Sequence, residues 1–89
     1  MAGIAANRAE ELRAEKALLI KAETDIEEGW QRLRNQEDLL LYLGSAGHDT
    51  RQAEHLVQLM RQTLIEWERH RTLIEDRIAH LERETATRS

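Results

Sequence analysis

The sequence predicts an all-α protein: a long antiparallel two-helix hairpin, coiled-coil-like, with helices over about 8–43 and 50–83. Three observations predict it. Apolar residues recur with helical period along both halves of the 89-residue chain. The chain has no proline and only 3% aromatic residues. Two glycines meet a helix-start signal near its centre, in Gly44-Ser45-Ala46-Gly47-His48-Asp49-Thr50. A composition rich in Glu, Arg, Leu and Ala favours long helices and offers little to a sheet. No linker-like segment interrupts the chain, so the expectation is a single domain over 1–89.

Asn7, with Glu10 three residues on, reads as an N-cap and its capping-box partner, which starts the first helix near Arg8 and leaves 1–7 frayed. Leu12, Leu19, Ile26, Leu33 and Leu40 then recur every seven residues, and Ala9, Ala22, Trp30 and Leu43 widen the stripe. Thr24-Asp25-Ile26-Glu27 is a second capping box and offers a break near Glu23, giving two consecutive helices. The unbroken heptad phase across that point favours one helix. Gly29, on the stripe's edge, has two readings. Either it admits the close approach of a neighbouring helix, or it is a tolerated glycine costing about 1 kcal/mol relative to Ala.

The turn, 44–49, has a mechanism. Gly44 or Gly47 takes the left-handed conformation that ends a helix. Asp49 then accepts from the amides of the next helix, with Gln52 completing a capping box.

In the second helix Val57, Leu64, Arg71 and Ile78 share one heptad position, and Ala53, Met60, Trp67, Ile74 and Leu81 share the other. Residues 85–89 are expected to fray. At about 50 Å each, the two helices close on one another without overhang. Arg71 is the odd residue on this seam. With the turn centred near Gly47 its neighbours across the hairpin are Glu23 and Glu27, so it either pairs there and fixes the register or snorkels to solvent. Glu15, also within the stripe, either pairs in the same way at the far end or lies across the dimer.

Two helices touch along one line, which leaves part of each apolar stripe uncovered. Leu56 and Trp67 on the second helix, and Trp30 and Leu41 on the first, flank the seam and need further cover. Pairing two hairpins into a four-helix bundle supplies it, so the expected assembly is a homodimer with the stripe as its seam. Trp30 and Trp67 read as interface anchors before they read as an aromatic binding platform. Ile65, Leu73 and Leu39 point away from the seam; singly such residues are ordinary, together they suggest a partner.

Net charge is −4, with acids and bases interleaved and no basic stripe, which argues against nucleic acid as a partner. Without cysteine there is no disulfide, thiolate metal site or thiol nucleophile. The longest apolar run, Leu39-Leu40-Leu41-Tyr42-Leu43, is far below a membrane span, and the N-terminal residues are too weakly hydrophobic for a signal peptide, so no membrane and a cytoplasmic location are expected. Glu66 with His70, and Asp76 with His80, are each four apart, but the Glu-x-x-His spacing of a bundle metal site is absent. His55 and His80 project outward and His48 lies in the turn. Neither a zincin motif nor a phosphate-binding glycine loop is present. No catalytic residue, cofactor or metal is expected.

The order Asp25-Ile26-x-Glu28-Gly29-x-x-Arg32-Leu33-x-x-Gln36, followed by Gly47-His48-Asp49-Thr50-x-x-Ala53-Glu54-x-Leu56 and by His70-Arg71, resembles a set of short, uncharacterised alphaproteobacterial proteins over about Lys21 to Leu81. The resemblance implies a bacterial helical hairpin with no assigned activity. Trp30, where that set more usually has a polar residue, and the extra first-helix residues 1–20 are departures that add apolar surface. The functional expectation is a non-catalytic homodimeric scaffold or adaptor. The alternatives are a regulatory binder that docks a helix of another, unidentified protein and, more remotely, a metal-binding bundle.

Overall fold

The computed structural model describes the backbone of residues 2–86 and the side chains of 7–86. Among the described residues it contains two α-helices and no strand: α1, Ala2–Ser45, and α2, Arg51–Ala86. The protein is the expected all-α hairpin. Its boundaries differ from expectation in instructive ways. The first helix runs through Asn7, so the Asn7–Glu10 cap is not used and 2–7 are helical. Alanine at 2, 5 and 6 makes extension cheaper than capping at that point. Residues 24–27 are helical as well, so α1 does not break near Glu23 and the second capping box is also unused. At the other end α2 continues to Ala86, with the Thr85 hydroxyl donating to the Glu82 carbonyl at 2.9 Å; 87–89 lie outside the described residues.

The turn explains why the chain reverses here. Of the two turn glycines, Gly47 has positive φ, +78°, while Gly44 stays helical. The His48 amide donates to the Leu43 carbonyl at 2.9 Å and the Gly47 amide to the Gly44 carbonyl at 3.2 Å. This nested pair is the Schellman motif, which satisfies the last carbonyls of α1 and needs a left-handed residue where Gly47 stands. Then α2 starts. The Thr50 carbonyl accepts from the Glu54 amide at 2.8 Å, which makes Thr50 the N-cap, one residue later than expected. Asp49 still serves the helix start: its carboxylate accepts the Arg51 amide at 3.0 Å and grips the Arg51 guanidinium, Nη2 to Oδ2 at 2.7 Å. These bonds hold the Asp49 pKa below its ordinary value near 3.8 and raise that of Arg51. Among the described residues no hydrogen bond returns from Gln52 to Asp49; Thr50 and Glu54 make the reciprocal contact instead, hydroxyl to carboxylate at 3.3 Å. Glu54 near the N-terminus and Arg83 near the C-terminus of α2 complement its dipole.

Packing divides the hairpin into two compact units. In the unit Thr24–Glu68, Ile26 and Leu33 of α1 meet Val57 and Leu64 of α2 in one buried cluster, with Leu40, Met60 and Trp67 packed against it. In the other unit, Ile74, Ile78 and Leu81 are buried, and Leu12, Leu19 and Ala22 of α1 are half-buried. That unit also carries cross-helix ion pairs: Arg8–Glu84 at 3.2 Å, Lys16–Glu82 at 3.4 Å and Arg77–Glu15 at 2.9 Å.

Candidate interaction surface

Within Thr24–Glu68 the two flanks of the seam differ in chemistry. On one flank, Trp30 Nε1 donates to Glu68 Oε1 at 3.3 Å, and one heptad on Arg61 Nη2 meets Glu37 Oε2 at 2.6 Å. Both pairs are symmetric about residue 49, as an antiparallel register centred there requires. This flank is closed by polar contacts between the helices.

The other flank is open and apolar. Gly29 and Arg32 of α1, with Leu56, Leu59, Met60, Thr63, Leu64 and Trp67 of α2, line a groove of about 230 Å³. Its apolar members fall at helical spacing on α2, so one face of that helix supplies most of the wall. Gly29 forms the floor. A Cβ there would stand 2.7 Å from Leu64 Cδ2 and 3.3 Å from Trp67 Cζ3, so the missing side chain is what lets α2 come down onto α1. Of the two readings of Gly29, close approach is the one the structure shows. Thr63 turns its hydroxyl to the Leu59 carbonyl at 3.0 Å, and Arg32 is the one charged residue among those lining the groove. Leu56 and Leu59 are 42% and 46% exposed. An α-helical surface of this kind desolvates cheaply against another apolar face.

A second, polar cavity of about 410 Å³ lies in the other unit, lined by Arg8, Glu11, Glu15, Arg77, His80 and Leu81. Its charges are mutually compensated. Arg8 bridges Glu11 and Glu84, and His80 Nε2 lies 3.0 Å from Glu84. Among the described residues no group of three or more His, Cys, Asp or Glu is placed to hold a metal ion, and no helix is long and apolar enough to cross a membrane.

The residues singled out in the sequence fall into three sets. Ile26, Leu33, Val57, Leu64, Ile74, Ile78 and Leu81 are buried within the hairpin. Leu12, Leu19, Leu40, Met60 and Trp67 are half-buried at its edges. Trp30 is 43% exposed, outside the hairpin's own core, and belongs to the polar flank through its bond to Glu68. Of the two readings of Arg71, pairing with a glutamate across the hairpin does not occur among the described residues. The Arg71 ion pair is with Glu75 on its own helix, at 3.9 Å, and not with Glu23 or Glu27. The residue that does set a charged contact across the hairpin from within the stripe is Glu15, through Arg77. Sequence reasoning misses the pairs Trp30–Glu68 and Glu37–Arg61, although their shared seven-residue spacing is a signal that could find them. In comparisons with known proteins, no family model, no curated sequence and no solved structure matches this chain.

Proposed function

We propose that this chain is a non-catalytic association module that acts as a homodimer, two hairpins pairing into a four-helix bundle. One observation carries the reading: the folded chain leaves too much surface in water. Its accessible area is 6869 Å², whereas a compact protein of 10.4 kDa exposes about 5,400 Å². The excess is larger than the roughly 800 Å² that each partner buries in a standard-size interface. Much of it is apolar, with Leu18, Ile20, Leu39, Leu56 and Leu59 all more than 40% exposed. Kinship with the alphaproteobacterial hairpins is part of the same proposal and adds no activity to it.

Sedimentation velocity over a hundredfold dilution from about 200 μM tests the reading. A species of twice the chain mass that dissociates only at the dilute end supports it. A single monomeric species throughout, with full helicity, would remove its basis.

A further inference from the structure

The two flanks of the Thr24–Glu68 unit are unequal, and that inequality names the contact surface. We propose that the groove over Gly29, between Arg32 and the α2 face carrying Leu56, Met60 and Trp67, is the seat of a second copy of this chain, which presents the same groove around a two-fold axis. This inference rests on the homodimer reading and assigns it a face.

Three observations favour this occupant. First, the groove has a recess and a ridge side by side: about 230 Å³ of open space lies between Arg32 and the α2 face, while Leu56 and Leu59 stand more than 40% exposed at its wall. An isologous contact requires a surface to be complementary to itself, so a ridge and a recess must occur on one patch. Second, the face brings little charge to be desolvated. Arg32 alone among the lining residues is charged, and its long stem lets the guanidinium stay at the rim. The opposite flank would have to bury the charges of Glu37, Arg61 and Glu68. Third, the surface left exposed by one chain exceeds what one side of a stable dimer needs, so a copy can cover this face without remodelling the hairpin.

The test places one charge on each flank. Leu56→Asp and Leu59→Asp alter the proposed face; Leu41→Asp and Ile65→Asp alter exposed positions outside the groove. All four residues are exposed in the single chain, so helicity should survive in each variant, and circular dichroism checks this. The first pair should weaken dimerisation by at least about a hundredfold and the second pair by less than about threefold. A second readout does not depend on these variants: in Trp30→Phe, where Trp67 is the only tryptophan, iodide quenching should fall as protein concentration rises through the dimer range. If the dimer survives both groove substitutions and is lost with Leu41→Asp or Ile65→Asp, the face is wrong and the association reading stands. Unchanged Trp67 quenching across a proven dimer transition would likewise overturn the face alone. If the wild-type chain is monomeric throughout, both readings fall, and a helix of a different protein becomes the occupant to seek.

Discussion

Gly29 and Leu64 are so close that a methyl on the glycine would lie 2.7 Å from Leu64 Cδ2, inside any ordinary carbon contact. Leu64 is buried in the cluster with Ile26, Leu33 and Val57 and has little room to give. Gly29→Ala therefore sets a helix-propensity gain of about 1 kcal/mol against an overpacking cost of about 1–3 kcal/mol, and should destabilise by roughly 1 kcal/mol. Gly44→Ala is the control. It is helical, and a Cβ there meets only Thr50 Cγ2 at 3.8 Å, so it should stabilise by about 0.5–1 kcal/mol. Urea unfolding at one fixed protein concentration compares the two; equal stabilisation by both would mean that the helix–helix approach at Gly29 is loose.

Gly47 is held at φ +78° by the two bonds that end α1. An alanine there must adopt the left-handed region, at a cost of about 1–2 kcal/mol, although nothing lies within 4 Å of its Cβ. Asparagine tolerates that region better and should lose about half as much. A Gly47→Ala protein as stable as wild type would show that the turn can reclose in another conformation.

Core and margin should separate cleanly. Leu33 is 2% exposed and Leu41 is 73% exposed, though both belong to the Leu-rich half of α1. Leu33→Ala should cost about 2–5 kcal/mol because the cluster cannot collapse onto the missing atoms. Leu41→Ala should change stability by less than about 0.5 kcal/mol. Similar losses at the two sites would contradict the assignment of the core.

The heptad pattern is enough to read the hairpin, because periodic burial is a property of many residues at once. Single contacts are less legible, for physical reasons. The strip where two helices touch is narrow, so residues sharing a heptad position range from buried Leu33 to half-buried Leu40. The width of its stripe puts Trp30 beside the seam, and a two-helix contact closes before reaching it. Long charged side chains span a whole helical turn, so spacing alone does not decide between Glu75 and Glu23 as the partner of Arg71. Asn7 has the chemistry of a cap and loses to the alanines preceding it. Gly29 is the most informative ambiguity: its edge position marks a close approach, and only the folded chain supplies the neighbour.

Glu15 is nearly enclosed, with its side chain 13% exposed, whereas its partner Arg77 is 61% exposed. Oε1 accepts from Arg77, while Oε2 is buried with no hydrogen-bond partner. Such a group contributes register more than stability. Arg77→Ala leaves the carboxylate enclosed and unpaired and should cost about 1 kcal/mol, a value kept small by solvent around the guanidinium. Glu15→Leu, which extends the apolar stripe between Leu12 and Leu19, should be neutral or stabilising. If Glu15→Leu proves markedly destabilising in thermal unfolding, the carboxylate has a further partner in the assembled protein.

Asp49 makes stability at the start of α2 depend on pH, and the sign can be worked out. Its folded pKa lies below its ordinary value near 3.8, chiefly because of the Arg51 side chain and secondarily because of the Arg51 amide. The folded state therefore holds the proton less tightly than the unfolded state does. The resulting stabilisation is fully present above the unfolded value and is lost as pH falls through the lower, folded one. Asp49→Ala removes that contribution, so its deficit in urea midpoint relative to wild type should be constant from about pH 8 down to pH 5 and shrink below about pH 4. Taking the difference cancels the titration of the other carboxylates, which both proteins share. Asp49→Asn retains an acceptor for the Arg51 amide but not the charge, so its deficit should be smaller at neutral pH and should also fade in acid. A deficit of Asp49→Ala that stays undiminished at pH 2.5 would show that the side chain caps the helix without its charge, and that Arg51 is not what holds it ionised.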